Sequence, residues 1–165
     1  MTFEEIFAKL DAFPECGLVE VTGGEPMLQS NVTTFMQECL ERGLEVMIET
    51  GGSLTLEEVP VEVRKIVDLK APGSGEHEKN LWENLALLKP WDEIKVVIAD
   101  FTDFEWARDA CARESLFEKH TVHFSPVFGK LHPRLLAEWI LAEGIPARLQ
   151  LQAHKFVWHP DAQGV

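Results

Sequence analysis

Residues 21–26 read Val21-Thr22-Gly23-Gly24-Glu25-Pro26, directly after the apolar, β-rich stretch 17–21. The pattern predicts a strand that empties into a double-glycine turn carrying one carboxylate and one proline. Gly23 and Gly24 let main chain approach a ligand with no Cβ in the way, and Pro26 sets the exit direction. Similar turns follow at two later strand ends, Glu49-Thr50-Gly51-Gly52 and Asp68-Leu69-Lys70-Ala71-Pro72-Gly73-Ser74-Gly75. Polar, glycine-bearing turns at successive strand ends read as the rim of one site.

Outward from that stretch, strand and helix patterns alternate. Thr2-x-x-Glu5 is a capping box ahead of the apolar face Phe3, Ile6, Phe7 and Leu10. Val32, Phe35, Met36, Cys39 and Leu40 form a second helical stripe, closed by Gly43. Thr55-x-x-Glu58 predicts a short helical segment. Leu81, Leu85 and Leu88 predict a helix over 78–88, and Thr102-x-x-Glu105 another. Pro133 suits a helix first turn. Strands are expected at 18–22, 44–48, 66–69, 94–99, 122–124 and 148–151, short and nearly all apolar, as doubly covered parallel strands should be. Such βα repetition predicts an α/β fold with a parallel sheet. Six strands are too few for a closed eight-stranded barrel, which leaves a partial barrel or an open doubly wound sheet. In either, function sits at the carboxyl ends of the strands. Length and the lack of a linker give one domain, 1–165.

The 165 residues carry a net charge of −13, which opposes nucleic acid binding, and Lys and Arg do not cluster. No apolar run approaches the roughly 18 residues that span a bilayer, and the acidic, amphipathic start is no signal peptide. A cytoplasmic location is expected, with no membrane partner. Cys16, Cys39 and Cys111 form no C-x-x-C pair, so no structural zinc or redox couple is signalled. Cys39 and Cys111 fall on apolar helix faces and read as buried thiols.

At Thr22-Gly23-Gly24-Glu25-Pro26 the chain resembles the radical S-adenosylmethionine enzymes. The order and spacing of Glu49-Thr50-Gly51-Gly52, Asp68-Leu69-Lys70 with Pro72, Ser125-Pro126-Val127 and Gln150-Leu151-Gln152-Ala153-His154-Lys155 narrow this. Together they resemble the 7-carboxy-7-deazaguanine synthase family of queuosine biosynthesis, across nearly the whole chain. The resemblance implies a partial (β/α) barrel, a [4Fe–4S] cluster that splits S-adenosylmethionine, a magnesium ion, and a lyase reaction. In it 6-carboxy-5,6,7,8-tetrahydropterin becomes 7-carboxy-7-deazaguanine with loss of ammonia. It further implies a reductant protein such as flavodoxin and a homodimer.

The resemblance departs at one place. The family's three cluster cysteines lie in a loop after the first barrel strand, upstream of the Gly-Gly-Glu-Pro turn. Here 22 residues precede Gly23, and Cys16 is their sole cysteine. Three thiolates are needed to hold the cluster with the cofactor's amino and carboxylate groups. The first strand, the cluster loop and the magnesium-binding threonine are therefore expected to be missing, and this chain as written is expected to carry no cluster. A mis-assigned start, a fragment and a natural cluster-less relative are the three explanations.

By resemblance, Gly23, Gly24, Glu25 and Pro26 hold the methionine end of the cofactor. Asp68 and Lys70 contact its ribose or carboxylate, and alternate with Leu69 so that both point to one side. Ser125, Pro126, Val127 and Phe128 flank the adenine, with Phe128 a stacking platform. Thr22, Glu49, His154 and the last residue, Val165, are candidate pterin contacts. Each has a structural alternative: a tight βα turn for Glu25, an ion pair for Asp68 and Lys70, a proline turn with a core aromatic at 125–128, a frayed end for Val165. Glu25 and Glu49 also form a conceivable glycosidase carboxylate pair. Another radical enzyme or activase, and a cluster-less binding domain, are the alternative functions. His120 and His123 fall on opposite strand faces and make poor co-ligands.

Overall fold

The computed structural model describes residues 1–160 and Ala162. The chain forms two compact units, one of 1–66 with 81–88 and one of 67–80 with 89–165.

The first unit begins with α1 (Phe3–Leu10), whose capping box is complete: the Thr2 hydroxyl accepts from the Glu5 amide and the Glu5 carboxylate accepts from the Thr2 amide. Strand β1 (Leu18–Val21) leads through the turn at Gly23 and Gly24 to a single 3-10 turn, Pro26–Leu28, then α2 (Val32–Glu41) and β2 (Glu45–Thr50). β1 pairs with β2 in parallel, Leu18 opposite Glu45 and Val21 opposite Ile48. Helix α2 ends where Gly43 takes φ 80°, a left-handed stop that a side chain would disfavour. Phe7 and Phe35 meet at 5.5 Å between ring centroids. The Arg42 guanidinium lies 3.5 Å over the Phe7 ring, so a charged stem closes the apolar face of α1.

Strand β3 (Arg64–Leu69) runs through both units. The second unit continues with β4 (Glu93–Ile98), α3 (Phe101–Arg113), α4 (Leu116–Lys119), β5 (Thr121–Pro126), α5 (Pro133–Glu143), β6 (Arg148–Leu149) and α6 (His154–Val157). β4 and β5 run parallel from Glu93 opposite Thr121 to Ile98 opposite Pro126, and β5 and β6 are parallel too. The strand order is that of the sequence, β1-β2-β3 in the first unit and β3-β4-β5-β6 in the second. The core of the second unit centres on Phe104 and Phe124, edge to face at 6.0 Å, with Trp139 5.5 Å from Phe104. Full burial of each phenylalanine contributes on the order of 2–3 kcal/mol.

Burial alternates along the strands. Ile94, Val96 and Ile98 are buried, whereas Glu93, Lys95 and Val97 keep partial exposure. In β2, Val46, Ile48 and Thr50 are buried beside the more accessible Glu45, Met47 and Glu49. β2 and β4 are thus covered more fully on one face than on the other, and the more accessible face admits charge, whereas β3 and β5 end in residues buried on both faces.

Three elements differ from the sequence expectation. Residues 55–58 are a turn, because the Thr55 hydroxyl accepts from Glu57 two residues on, and the Leu56 amide donates to the Asn84 side chain instead of into a helix. Residues 77–87 form two 3-10 pieces, His77–Lys79 and Trp82–Leu87. The Leu81 amide between them donates outward to the Gly52 carbonyl, which breaks the continuous α-helical ladder. Helix α3 starts at Phe101 on an Asp100 cap, ahead of Thr102, since an aspartate carboxylate is the stronger N-cap acceptor. No helix among the described residues is long and apolar enough to cross a membrane.

Candidate functional site

In the first unit the site is built from the end of β1 and the end of β2. Gly23 and Gly24 have φ of 101° and 23°, and a Cβ at either would meet nothing within 4 Å. The turn is therefore open, with main chain facing free space. Glu25 caps the 3-10 turn that follows. Its Oε1 accepts from the Met27 amide at 3.1 Å. The Thr50 hydroxyl donates to the same carboxylate, 2.8 Å from Oε1 and 2.9 Å from Oε2. The Gly51 amide donates to Oε2 at 2.9 Å. Thr50 in turn accepts from the Gly52 amide at 3.0 Å. The Thr-Gly-Gly run after β2 thus orients the carboxylate of the Gly-Gly-Glu-Pro turn after β1. A carboxylate has about four acceptor positions, and three donors occupy it here. One acceptor position remains, which suits a single ammonium. Thr22 is exposed and Glu49 half-buried.

In the second unit Asp68 and Lys70 point the same way, as their alternation predicts, and Lys70 Nζ lies 2.8 Å from Asp68 Oδ2. The pair lies within its own strand end. Asn80, 7% exposed, grips the Lys70 main chain: its Oδ1 accepts from the Lys70 amide and its Nδ2 donates to the Lys70 carbonyl, both at 2.9 Å. The Gly73 amide donates to Asp103 Oδ1 at 2.7 Å, and the other Asp103 oxygen accepts from the Ala99 amide at 3.0 Å.

At the end of β5, Ser125 is fully buried, and its hydroxyl has no hydrogen-bond partner among the described residues. Pro126 closes the strand, and the Val127 amide continues the pairing to the Ile98 carbonyl at 2.9 Å. Phe128 meets Phe156 edge to face at 5.2 Å, and its amide lies 3.4 Å from Gln152 Oε1. Pro126, Phe128, Leu131, Leu151, Gln152 and Phe156 help to line a cavity of about 430 Å³. His154 is exposed on α6 and is not part of that lining. Val165 lies outside the described residues.

Thr50, Asn80 and Asp103 were not assigned roles by sequence. Thr50 stood inside a quoted motif, but its bond to Glu25 spans 25 residues. Asn80 and Asp103 are lone polar residues in a polar loop and in the first turn of a helix, positions where either type is usual.

In the first unit the open double-glycine turn and the spare carboxylate acceptor fit the amino-acid end of S-adenosylmethionine. The cysteines do not fit an iron–sulfur cluster. Cys39 and Cys111 are fully buried, Cys16 is exposed, and burial pushes the Cys39 thiol up and the Cys111 thiol up to about 12. Neither buried thiol is a thiolate at neutral pH. No group of three His, Cys, Asp or Glu among the described residues is arranged to hold a metal ion.

No protein-family model matches the chain. Curated relatives do. The 7-carboxy-7-deazaguanine synthase of Chlorobaculum tepidum is 45% identical over all of this chain and 76% of its own length. That of Koribacter versatilis is 43% identical over all of this chain and 79% of its own. Among solved structures, QueE from Escherichia coli superposes with a TM-score of 0.71 at 21% identity, over 92% of this chain and 64% of that one. Streptococcus suis SuiB bound to S-adenosylmethionine gives 0.55 at 14% identity, over 87% of this chain and 40% of that one. The fold is thus the QueE-like one expected of a radical S-adenosylmethionine partial barrel. With identity of this level over its whole length, the chain belongs to the 7-carboxy-7-deazaguanine synthase family of radical S-adenosylmethionine enzymes.

Proposed function

We propose that residues 1–165 act as the part of a 7-carboxy-7-deazaguanine synthase that grips cofactor and substrate. The reaction is the conversion of 6-carboxy-5,6,7,8-tetrahydropterin to 7-carboxy-7-deazaguanine. The observation that carries this is the Glu25 carboxylate, oriented by Thr50 and Gly51 with one acceptor position left. Bound S-adenosylmethionine supplies the radical chemistry, and the protein binds, orients and excludes water. Gly23 and Gly24 lend main-chain groups to the methionine end, Glu25 receives its ammonium, and Pro26 fixes the turn. Lys70, steadied by Asp68, meets a carboxylate or ribose. Ser125, Pro126, Val127 and Phe128 take the adenine, which gives the Ser125 hydroxyl the partner the protein withholds. Thr22, Glu49, His154 and Val165 are assigned to the pterin.

Cytoplasmic location, a magnesium ion, a flavodoxin-like reductant and a homodimer belong to the same proposal. The cluster ligands are not supplied by Cys16, Cys39 and Cys111. The second reading is a binding domain without a cluster. A chimera separates the two. The cluster-loop segment of the Chlorobaculum tepidum relative is placed ahead of Met1, and the protein is reconstituted anaerobically with iron and sulfide. Formation of 7-carboxy-7-deazaguanine is expected. A chimera that holds a full cluster and cleaves S-adenosylmethionine, yet makes no product, would overturn the proposal.

A further inference from the structure

We propose that Asn80 is a positioning residue for Lys70, and that with Asp103 it holds the loop after β3 in a ligand-ready shape. The inference rests on the proposed role of Lys70 in gripping S-adenosylmethionine. The Asn80 amide spends one acceptor and one donor on a single residue, Lys70 N–H and C=O, both at 2.9 Å. That is the pattern a neighbouring strand would offer, supplied by a side chain ten residues away. It extends strand-like pairing one residue past Leu69, where β3 ends. Lys70 therefore leaves the sheet with its main chain fixed, while its side chain keeps 34% exposure and reaches Asp68 at 2.8 Å.

The next stretch is held from a different element. Asp103, in the first turn of α3 and 2% exposed, binds the Gly73 amide at 2.7 Å. Contact there is so close that a Cβ at Gly73 would lie 2.5 Å from Asp103 Oδ2. The Ser74 hydroxyl donates to the Ala71 carbonyl at 2.6 Å, and Gly75 closes the turn at φ 74°. A lysine on a free loop would lose rotamer and main-chain entropy on meeting a ligand. One on a clamped loop has lost part of it already. Stabilisation of the fold alone would require the two Asn80 bonds somewhere on the loop. Their placement on Lys70, whose side chain is ion-paired to Asp68 at the strand end yet keeps exposure, points to positioning.

The test is a cycle on the full chain, read by equilibrium dialysis of radiolabelled S-adenosylmethionine. Lys70→Met is expected to weaken binding about tenfold, and Asn80→Ala severalfold, of the order reported for residues in one network. In the Lys70→Met background Asn80→Ala should change nothing further, because it acts through the lysine. Hydrogen exchange at the Lys70 amide should speed up in Asn80→Ala. Asn80→Asp keeps the acceptor and loses the donor. It should fall between, and it serves the cycle if the alanine variant does not fold. Val122→Ala, a buried change on β5, should lower stability and leave binding intact. Equal losses from Asn80→Ala in both backgrounds, a silent Asn80→Ala, or a Val122→Ala that weakens binding as much would each overturn the inference while leaving Lys70 a contact. A silent Lys70→Met would remove the assigned role of Lys70, and the inference with it.

Discussion

Thr50→Val tests the link between the two strand-end turns of the first unit. Thr50 is 2% exposed, and valine matches its shape, so the substitution removes a hydroxyl and little else. That hydroxyl donates to the Glu25 carboxylate at 2.8 Å and accepts from the buried Gly52 amide at 3.0 Å. A hydrogen bond to a charged acceptor contributes about 1.5–3 kcal/mol, and stranding the Gly52 amide adds about 1 kcal/mol. The expected loss is therefore about 3 kcal/mol. With a urea slope of roughly 1–3 kcal/mol/M, the midpoint followed by circular dichroism should fall by at least about 1 M at unchanged slope. Thr50→Ser keeps the hydroxyl and should retain most of the stability. In a cycle with Glu25→Gln the coupling should be about 1.5 kcal/mol or more. A Thr50→Val midpoint within about 0.3 M of the parent, or a Thr50→Ser protein that falls as far, would refute the claim that the hydroxyl orients Glu25.

Asn84, 1% exposed, accepts from the Leu56 amide and donates to the Gly52 and Leu54 carbonyls; Asn84→Ala should cost about 2–4 kcal/mol in denaturant unfolding, since it strands buried main chain. Gly73→Ala should destabilise by about 1–3 kcal/mol through the Asp103 contact, with much of that recovered in Gly73→Ala combined with Asp103→Ala. In native protein a thiol reagent should titrate Cys16 alone, with Cys39 and Cys111 appearing only on unfolding. Burial holds Cys111 protonated up to about 12, against an ordinary value of 9.0. Its contribution is present below pH 9 and is lost as pH rises towards 12, because the unfolded chain then gives up the proton first. Cys111→Ala should flatten that alkaline decline, which runs at up to about 1.4 kcal/mol per pH unit.

The strands were legible because Val, Ile and Leu recur between glycine-bearing turns, and each of the six lies where that pattern placed it, within a few residues. The uneven cover of β2 and β4 was not legible, since short apolar strands look alike whether one face or both are buried. The leucine spacing at 81, 85 and 88 imitated a helix. What it could not show was that Leu81 and Asn84 send their hydrogen bonds out to Gly52 and its neighbours. Glu25, Lys70 and Ser125 could be singled out as candidates because they sit in distinctive turns. Asn80 and Asp103 were missed because a side chain that serves another segment's main chain leaves no periodic mark. The structural alternative for Asp68 and Lys70 was an ion pair with a neighbouring strand, whereas the pair seen joins the two residues to each other. It is compatible with a ligand contact, since the lysine keeps exposure.

The unsatisfied hydroxyl of Ser125 sets two kinds of selection against each other. Alanine there would spare the empty protein a stranded polar atom in its core, so laboratory evolution for heat tolerance would drift towards it. Evolution under demand for ligand capture would drift back. A library sorted by survival on heating would thus mark this position as an improvement while discarding the role proposed for it.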